Sequence, residues 1–265
     1  MDRSFEPRPA PEPEPRAAQH EWTPHRLARI AESLEGAPLE QVLRWGLDTF
    51  GSAICLATSF GPQSIVLLHQ ISRLRPATTV FYLDTDLLFP ETYALKDELA
   101  RRFGLQFTRV TPELSVEQQS DLHGPKLWAR EPDRCCHLRK VAPLRRFLAD
   151  KKAWITGIRN GHSHSRAQLP IIEWDQNNQV VKLNPMIRWK SQEVWDYLRT
   201  HDLPSNPLHQ LGFPSIGCQP CTRAVRPGED PRAGRWPGFD KTECGIHHSH
   251  SGILHIPKKL NESAP

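Results

Sequence analysis

At 265 residues, with 38% apolar residues and a formal net charge of +4, the chain is long enough to bury a full core without disulfide staples. The charge suits an anionic ligand but falls short of a dedicated nucleic-acid binder, and no apolar run reaches the length of a membrane span. The first twenty residues lack the apolar core of a secretory signal, so a cytoplasmic protein is expected, whose six cysteines serve as metal ligands or catalysts rather than disulfides.

Residues 1–20 alternate proline with Glu and Arg and read as a disordered leader. A helix is predicted from Thr23, its N-cap, with Pro24 at the first position, and a second over 38–51, closed by Gly51. Apolar runs of strand length follow at 53–58, 78–84, 105–110 and 153–158, with a weaker fifth at 179–186. Helical patterns separate them at 63–74, 90–104 and 135–150, the last interrupted by Pro143, and another at 190–202 is capped by Ser191. Residues 111–133 read as loop. The alternation predicts an α/β fold with a mostly parallel sheet flanked by helices, followed by an irregular C-terminal segment. Ligands bind such sheets beyond the carboxyl ends of the strands.

The loop after the first strand, Thr58-Ser59-Phe60-Gly61, presents hydroxyls and backbone N–H groups at a helix start, where an anion fits and an ordinary capped turn fits equally. No Walker lysine follows it. Cys55, inside the strand, reads as a small buried hydrophobe. Four cysteines fall in two pairs, Cys135-Cys136 and Cys218-x-x-Cys221, which is the donor set of a zinc site or an iron–sulfur cluster; the adjacent pair favours iron. Arg139 and Lys140, one turn on, would offset an anionic cluster or form a solvated basic face. Arg159 and Arg166 follow the fourth strand, and Arg223, Arg226, Arg232 and Arg235 follow the CxxC; guanidinium forks of this kind suit phosphate and sulfate. Cys244 stands apart from the other cysteines among His247, His248 and His250, with glycine after it, and reads as a nucleophilic thiolate.

The segments CCHLRKVAPL, TGIRNGHSHSRAQ, LNPMIRWKSQEVWDYL, GCQPCTRAV and ECGIH, in this order, resemble the assimilatory adenylyl-sulfate reductases of the thioredoxin-dependent adenylyl-sulfate/phosphoadenylyl-sulfate reductase family, over about residues 50–250. The resemblance implies an adenine nucleotide α-hydrolase-like fold and reduction of adenylyl sulfate to sulfite and AMP, in assimilatory sulfate reduction towards cysteine biosynthesis. It implies that Cys244 attacks the sulfate sulfur to give an S-sulfocysteine that a separate thioredoxin resolves. Cys135, Cys136, Cys218 and Cys221 match [4Fe–4S] ligands, and Lys140 the lysine linking cluster and substrate. Arg166 and Gly157 match nucleotide-contacting positions, Arg232 and Arg235 the phosphosulfate clamps, and His247 the histidine after the nucleophile. Ser59 is carried as a substrate contact from the first loop. The implied organisation is a leader (1–20), a nucleotide-binding reductase domain with the Fe–S site (21–225) and a mobile segment carrying the catalytic cysteine (226–265).

The first loop, SFGPQS, lies nearer the phosphoadenylyl-sulfate branch, which leaves tolerance of a 3′-phosphate open, although that branch generally lacks the cluster cysteines. A non-catalytic Cys₄ protein and an ATP-dependent transferase are the other readings; the latter would need an SGGxDS-type loop. Neither nucleic acid nor membrane is expected as a partner, and assembly into a homo-oligomer is left open.

Overall fold

A computed structural model describes residues 21–160 and 169–247. Helix α1, Pro24–Leu34, starts as its sequence requires: Thr23 is extended and its hydroxyl accepts the Arg26 N–H at 3.2 Å. Helix α2, Leu39–Phe50, ends at Gly51, and its apolar face, Val42, Leu43 and Leu47, is buried.

The α/β alternation follows. Strand β1 (Ile54–Ala57) leads to α3 (Pro62–Leu74), β2 (Thr79–Leu83) to α4 (Pro90–Phe103), and β3 is Phe107–Val110. Gly104 closes α4 in the left-handed region, at φ 63°, which glycine reaches without a Cβ clash. Helix α5 spans Val116–His123 and α6 spans Pro132–Cys136; a π-helical turn, His137–Val141, joins α6 to α7, Ala142–Leu148. Strand β4 is Ala153–Ile155, β5 is Ile172–Asp175, β6 is Val180–Leu183 and α8 is Ser191–Thr200.

One sheet takes all these strands in the order β3-β2-β1-β4-β6-β5, parallel throughout except for β5, which pairs antiparallel with β6. Alternate residues feed opposite faces. Ile54 and Leu56, Val80 and Tyr82, and Ala153 and Ile155 join the larger core with α1, α2, α3 and α8. Cys55, Phe81 and Trp154 point into a smaller one with Leu144 and Leu148 of α7. Cys55 is fully buried there, and burial pushes its thiol up to about 12, as expected of an inert hydrophobe. No helix among the described residues is long and apolar enough to cross a membrane.

Three local expectations are corrected, and a fourth, the interruption at Pro143, is met. The stretch 111–133 is not all loop, because Ser115 and Gln118 form a capping box that starts α5: the Ser115 hydroxyl accepts the Gln118 N–H, and Gln118 Oε1 accepts the Ser115 N–H. The helix expected from Cys135 starts at Pro132. The interruption expected at Pro143 is present: this residue, which has no N–H and would clash with the carbonyl of Arg139 in a regular helix, stands in the first turn of α7, directly after the π turn that absorbs the mismatch. Ser191 is the first helical residue rather than the cap; at that end Glu193 Oε2 accepts the Lys190 N–H at 2.6 Å.

Candidate active site

A cleft of about 970 Å³ opens beyond the carboxyl ends of β1, β2 and β4. Its floor is set at the switch point between β1 and β4, where the chain leaves the sheet in both directions. From β1 comes the loop with Ser59, which leans on the start of α3: the Ser59 N–H donates to Ser64 Oγ at 3.3 Å. Phe60 takes a left-handed backbone at φ 56° that non-glycine residues rarely adopt. Its ring is anchored by burial against Tyr82 and Phe107, at 5.4 and 5.3 Å between centroids, which holds the loop in that turn. From β4 comes Gly157, packed so closely on α3 that a Cβ there would lie 3.3 Å from Gln63 Cβ and 3.5 Å from Ser64 N. Arg159, buried, follows and donates to the Trp189 carbonyl at 3.1 Å.

The wall of the cleft also carries Lys140, Arg232, Arg235, Glu243, Cys244 and His247. Arg235 lies over the Trp236 ring at 4.6 Å and donates to Ser215 Oγ at 3.2 Å. The stretch bearing Cys244 is held at several points. Lys241 pairs with Asp133, Arg232 donates to the Thr242 carbonyl at 2.7 Å, and Ile246 packs against the smaller core. His247 stacks on Trp154, with centroids 5.7 Å apart and planes 10° from parallel. The Trp154 indole is itself fixed, its N–H donating to Asp175 at 3.2 Å.

Behind that wall lies a second, smaller void bordered by Cys135 and Cys136 of α6, Cys218 and Cys221, and the apolar surfaces of Leu87, Trp128, Pro132 and Trp236. Cys244 packs against the same thiol cluster from the cleft side. Lys140 and Trp236 border both chambers. Burial works against the Lys140 charge, but the sulfurs of Cys218, Cys244 and Cys136 more than compensate and hold the ammonium above its ordinary range. Burial likewise opposes a Cys218 thiolate; Lys140, a Thr85 hydroxyl 3.3 Å from the sulfur and Arg235 outweigh it, so this thiol lies below its usual value. Burial and the neighbouring sulfurs push Cys135 up to about 11 and Cys221 up to about 12. Among the described residues, no three His, Cys, Asp or Glu side chains converge tightly enough for a single metal ion.

Residues 53–224 match the phosphoadenosine phosphosulfate reductase domain. The chain belongs to that family. Among its curated relatives, the adenosine 5′-phosphosulfate reductase of Salinibacter ruber is 49% identical over 229 residues, 86% of this chain and 91% of the relative. The phosphoadenosine 5′-phosphosulfate reductase of Gloeobacter violaceus is 46% identical over 224 residues, 83% of this chain and 93% of the relative. A crystal structure of phosphoadenylyl-sulfate reductase from Candida auris, a phosphate complex, aligns with TM-score 0.68 at 29% identity, covering 77% of this chain and 98% of that one. The Candida glabrata FMN adenylyltransferase, at TM-score 0.54 and 16% identity over 88% of this chain and 78% of that one, shares the fold.

In this reductase-family chain, one cleft therefore collects Ser59, Gly157, Lys140, Arg232, Arg235, Cys244 and His247, and the adjoining void collects Cys135, Cys136, Cys218 and Cys221. Arg166, His248 and His250 lie outside the described residues. Arg139 is not a solvated face: it is 1% exposed and donates to Asp86 Oδ2 and the Thr85 carbonyl, each at 2.7 Å. The carboxylates of the Asp84–Asp86 turn are likewise engaged, by Arg109 and Arg139. Arg223 is paired with Glu229 at 2.8 Å. Sequence reasoning missed Trp154 as the seat of His247, Trp236 as a wall of both chambers, and Glu243 beside Arg232. Only Trp236 carried a local signal, an aromatic ring directly after an arginine.

Proposed function

We propose that this chain reduces adenylyl sulfate to sulfite and AMP, with Cys244 as nucleophile and a thioredoxin-type dithiol as reductant. The observation that carries the reading is the position of Cys244: half-exposed on the wall of the cleft that Lys140, Arg232 and Arg235 also line. The names of the adenosine 5′-phosphosulfate reductase relatives support the substrate.

The sulfur of an activated sulfate is wrapped in anionic oxygens, so a thiolate approaches only when fixed cations neutralise them. Lys140, Arg232 and Arg235 supply that charge. The Cys244 thiolate donates its electron pair to the sulfur, and the sulfur–oxygen bond to the phosphate breaks. AMP leaves with the electron pair of that broken bond, and Cys244, now bonded to the sulfur, becomes an S-sulfocysteine. One thiolate of the dithiol then attacks Cys244 Sγ, sulfite departs with the electron pair of the broken sulfur–sulfur bond, and a mixed disulfide forms. The second thiol of the dithiol breaks it, restores Cys244 and leaves the reductant oxidised, so both electrons come from thiols.

The four cysteines fit a [4Fe–4S] cluster: two segments deliver them to one void with apolar walls, and a lysine stands where it would balance the cluster's negative charge. When bound, the cluster supplies a fixed negative charge behind Lys140 and ties α6 to the Cys218–Cys221 turn.

The test is intact-protein mass spectrometry of the anaerobic enzyme mixed with adenylyl sulfate without reductant. One sulfonate adduct is expected on Cys244, absent in Cys244→Ser and released as sulfite by thioredoxin. A wild-type enzyme that turns over with no adduct on Cys244 refutes the nucleophile. Iron and acid-labile sulfide content tests the cluster, and stoichiometric zinc instead refutes it. Assaying the 3′-phosphorylated nucleotide alongside tests the second reading, which the phosphoadenosine 5′-phosphosulfate reductase relative favours.

A further inference from the structure

A carboxylate occupies the position directly before Cys244, on a cleft wall that also carries Lys140, Arg232 and Arg235. The Glu243 side chain is 6% exposed, with Oε2 3.5 Å from Arg232 Nη2. The same nitrogen donates to the Thr242 carbonyl at 2.7 Å, so one edge of the guanidinium holds two consecutive residues of the segment. Asp230, the other acid on this part of the wall, is engaged with the backbone instead, accepting the Arg232 N–H at 2.7 Å.

For an enzyme that must admit an anion, a carboxylate here is adverse. It competes for Arg232 and adds like charge beside both the incoming oxyanion and the attacking sulfur. The contact is also long. Charge-assisted N–H···O bonds close to about 2.7–2.9 Å, as Arg139–Asp86 at 2.7 Å and Arg223–Glu229 at 2.8 Å do in this same chain. Those two pairs tie structural turns together, whereas the longer contact falls on an arginine assigned to the substrate. A buried carboxylate at this distance from such an arginine is one that an incoming anion can replace.

We propose that Glu243 is a displaceable counter-ion for Arg232. The phosphosulfate group of the substrate takes over Arg232, expels the Glu243 carboxylate from it, and through the intervening peptide bond re-seats Cys244. Arrival of the anion and alignment of the nucleophile are then one event, and Glu243 is a positioning residue that acts through Arg232. The inference rests on the reading of Arg232 as substrate clamp and Cys244 as nucleophile.

The experiment measures adenylyl-sulfate binding by calorimetry to cluster-loaded Cys244→Ser enzyme, with and without Glu243→Gln. The amide removes the competing charge with little change in volume, so binding tightens at least about threefold at low salt, the scale of a partly exposed ion pair. The gain shrinks as salt screens the pair. In the Cys244 enzyme, Glu243→Gln lowers KM, whereas damage to a merely structural contact raises it. Unchanged or weaker binding in Glu243→Gln overturns the proposal. Arg232→Ala in the same background separates the two levels: it is expected to weaken binding. If it does so while Glu243→Gln changes nothing, the exchange alone fails. If it does not, the clamp reading falls and the exchange with it.

Discussion

Replacing His247 separates holding from chemistry. Its ring lies on Trp154, which is fully buried, hydrogen-bonded to Asp175 and 5.9 Å below the Lys182 ammonium, so the seat is rigid and His247 is the movable partner. An aromatic pair of this kind contributes about 0.5–1.5 kcal/mol beyond area burial, which corresponds to a roughly twofold to tenfold change in how often the Cys244 segment is seated. His247→Ala is therefore expected to lower kcat/KM for sulfite release by that factor. His247→Phe, which keeps a ring on Trp154, stays within about twofold of wild type on the same scale. Sulfite release coupled to thioredoxin recycling reads both, and thermal unfolding serves as control, because a half-buried residue at the cleft edge carries little of the core. A phenylalanine variant as impaired as the alanine one refutes the positional account and assigns the imidazole a direct chemical part.

Two further outcomes follow from the geometry. Gly157→Val forces β-branched bulk into the contact with Gln63 and Ser64 and pushes the β4 loop off α3, so KM for adenylyl sulfate rises roughly tenfold, equivalent to ~1.4 kcal/mol of lost binding, with kcat less affected; an unchanged KM rejects the close-packing argument. Burial pushes the Asp84 carboxyl up, but hydrogen bonds from Tyr93 and Arg109, each 2.6 Å, and from the Asp86 N–H at 2.9 Å outweigh it and hold the group below the ordinary 3.8. Its stabilising contribution is thus complete above the unfolded value and lost as pH falls through the folded one. Asp84→Asn should flatten the acid limb of urea-unfolding stability, and a limb as steep as in wild type contradicts the assignment.

The sheet was legible because its strands are short apolar runs set between helices with explicit start and stop residues, Thr23-Pro24 and Gly104 among them. Strand β5 was not read, because Ile172-Glu173-Trp174-Asp175 is an edge strand that interleaves acidic residues with apolar ones and forms no apolar run. The turn beyond it, Asp175-Gln176-Asn177-Asn178, was not read either; there Asp175 Oδ1 accepts the N–H groups of Asn177 and Asn178. The cysteines of the void announced themselves through their spacing. Arg139 and Lys140 could not be told apart that way: they are adjacent, and what sends one into the body and the other to the cleft is the π turn and an aspartate 53 residues away. The Glu243–Arg232 contact was hidden for a related reason, because neither residue's neighbours reveal how the chain folds back.

That Lys140 and Trp236 serve as a common partition has a consequence for how such an enzyme can change. The ammonium is tolerated in a shielded position because sulfurs face it from both sides. A lineage that discarded the four cysteines would strand that cation without its counter-charges and would have to rebuild the cleft wall at the same time. Replacing the four cysteines therefore disturbs the cleft wall as well as the void beside it.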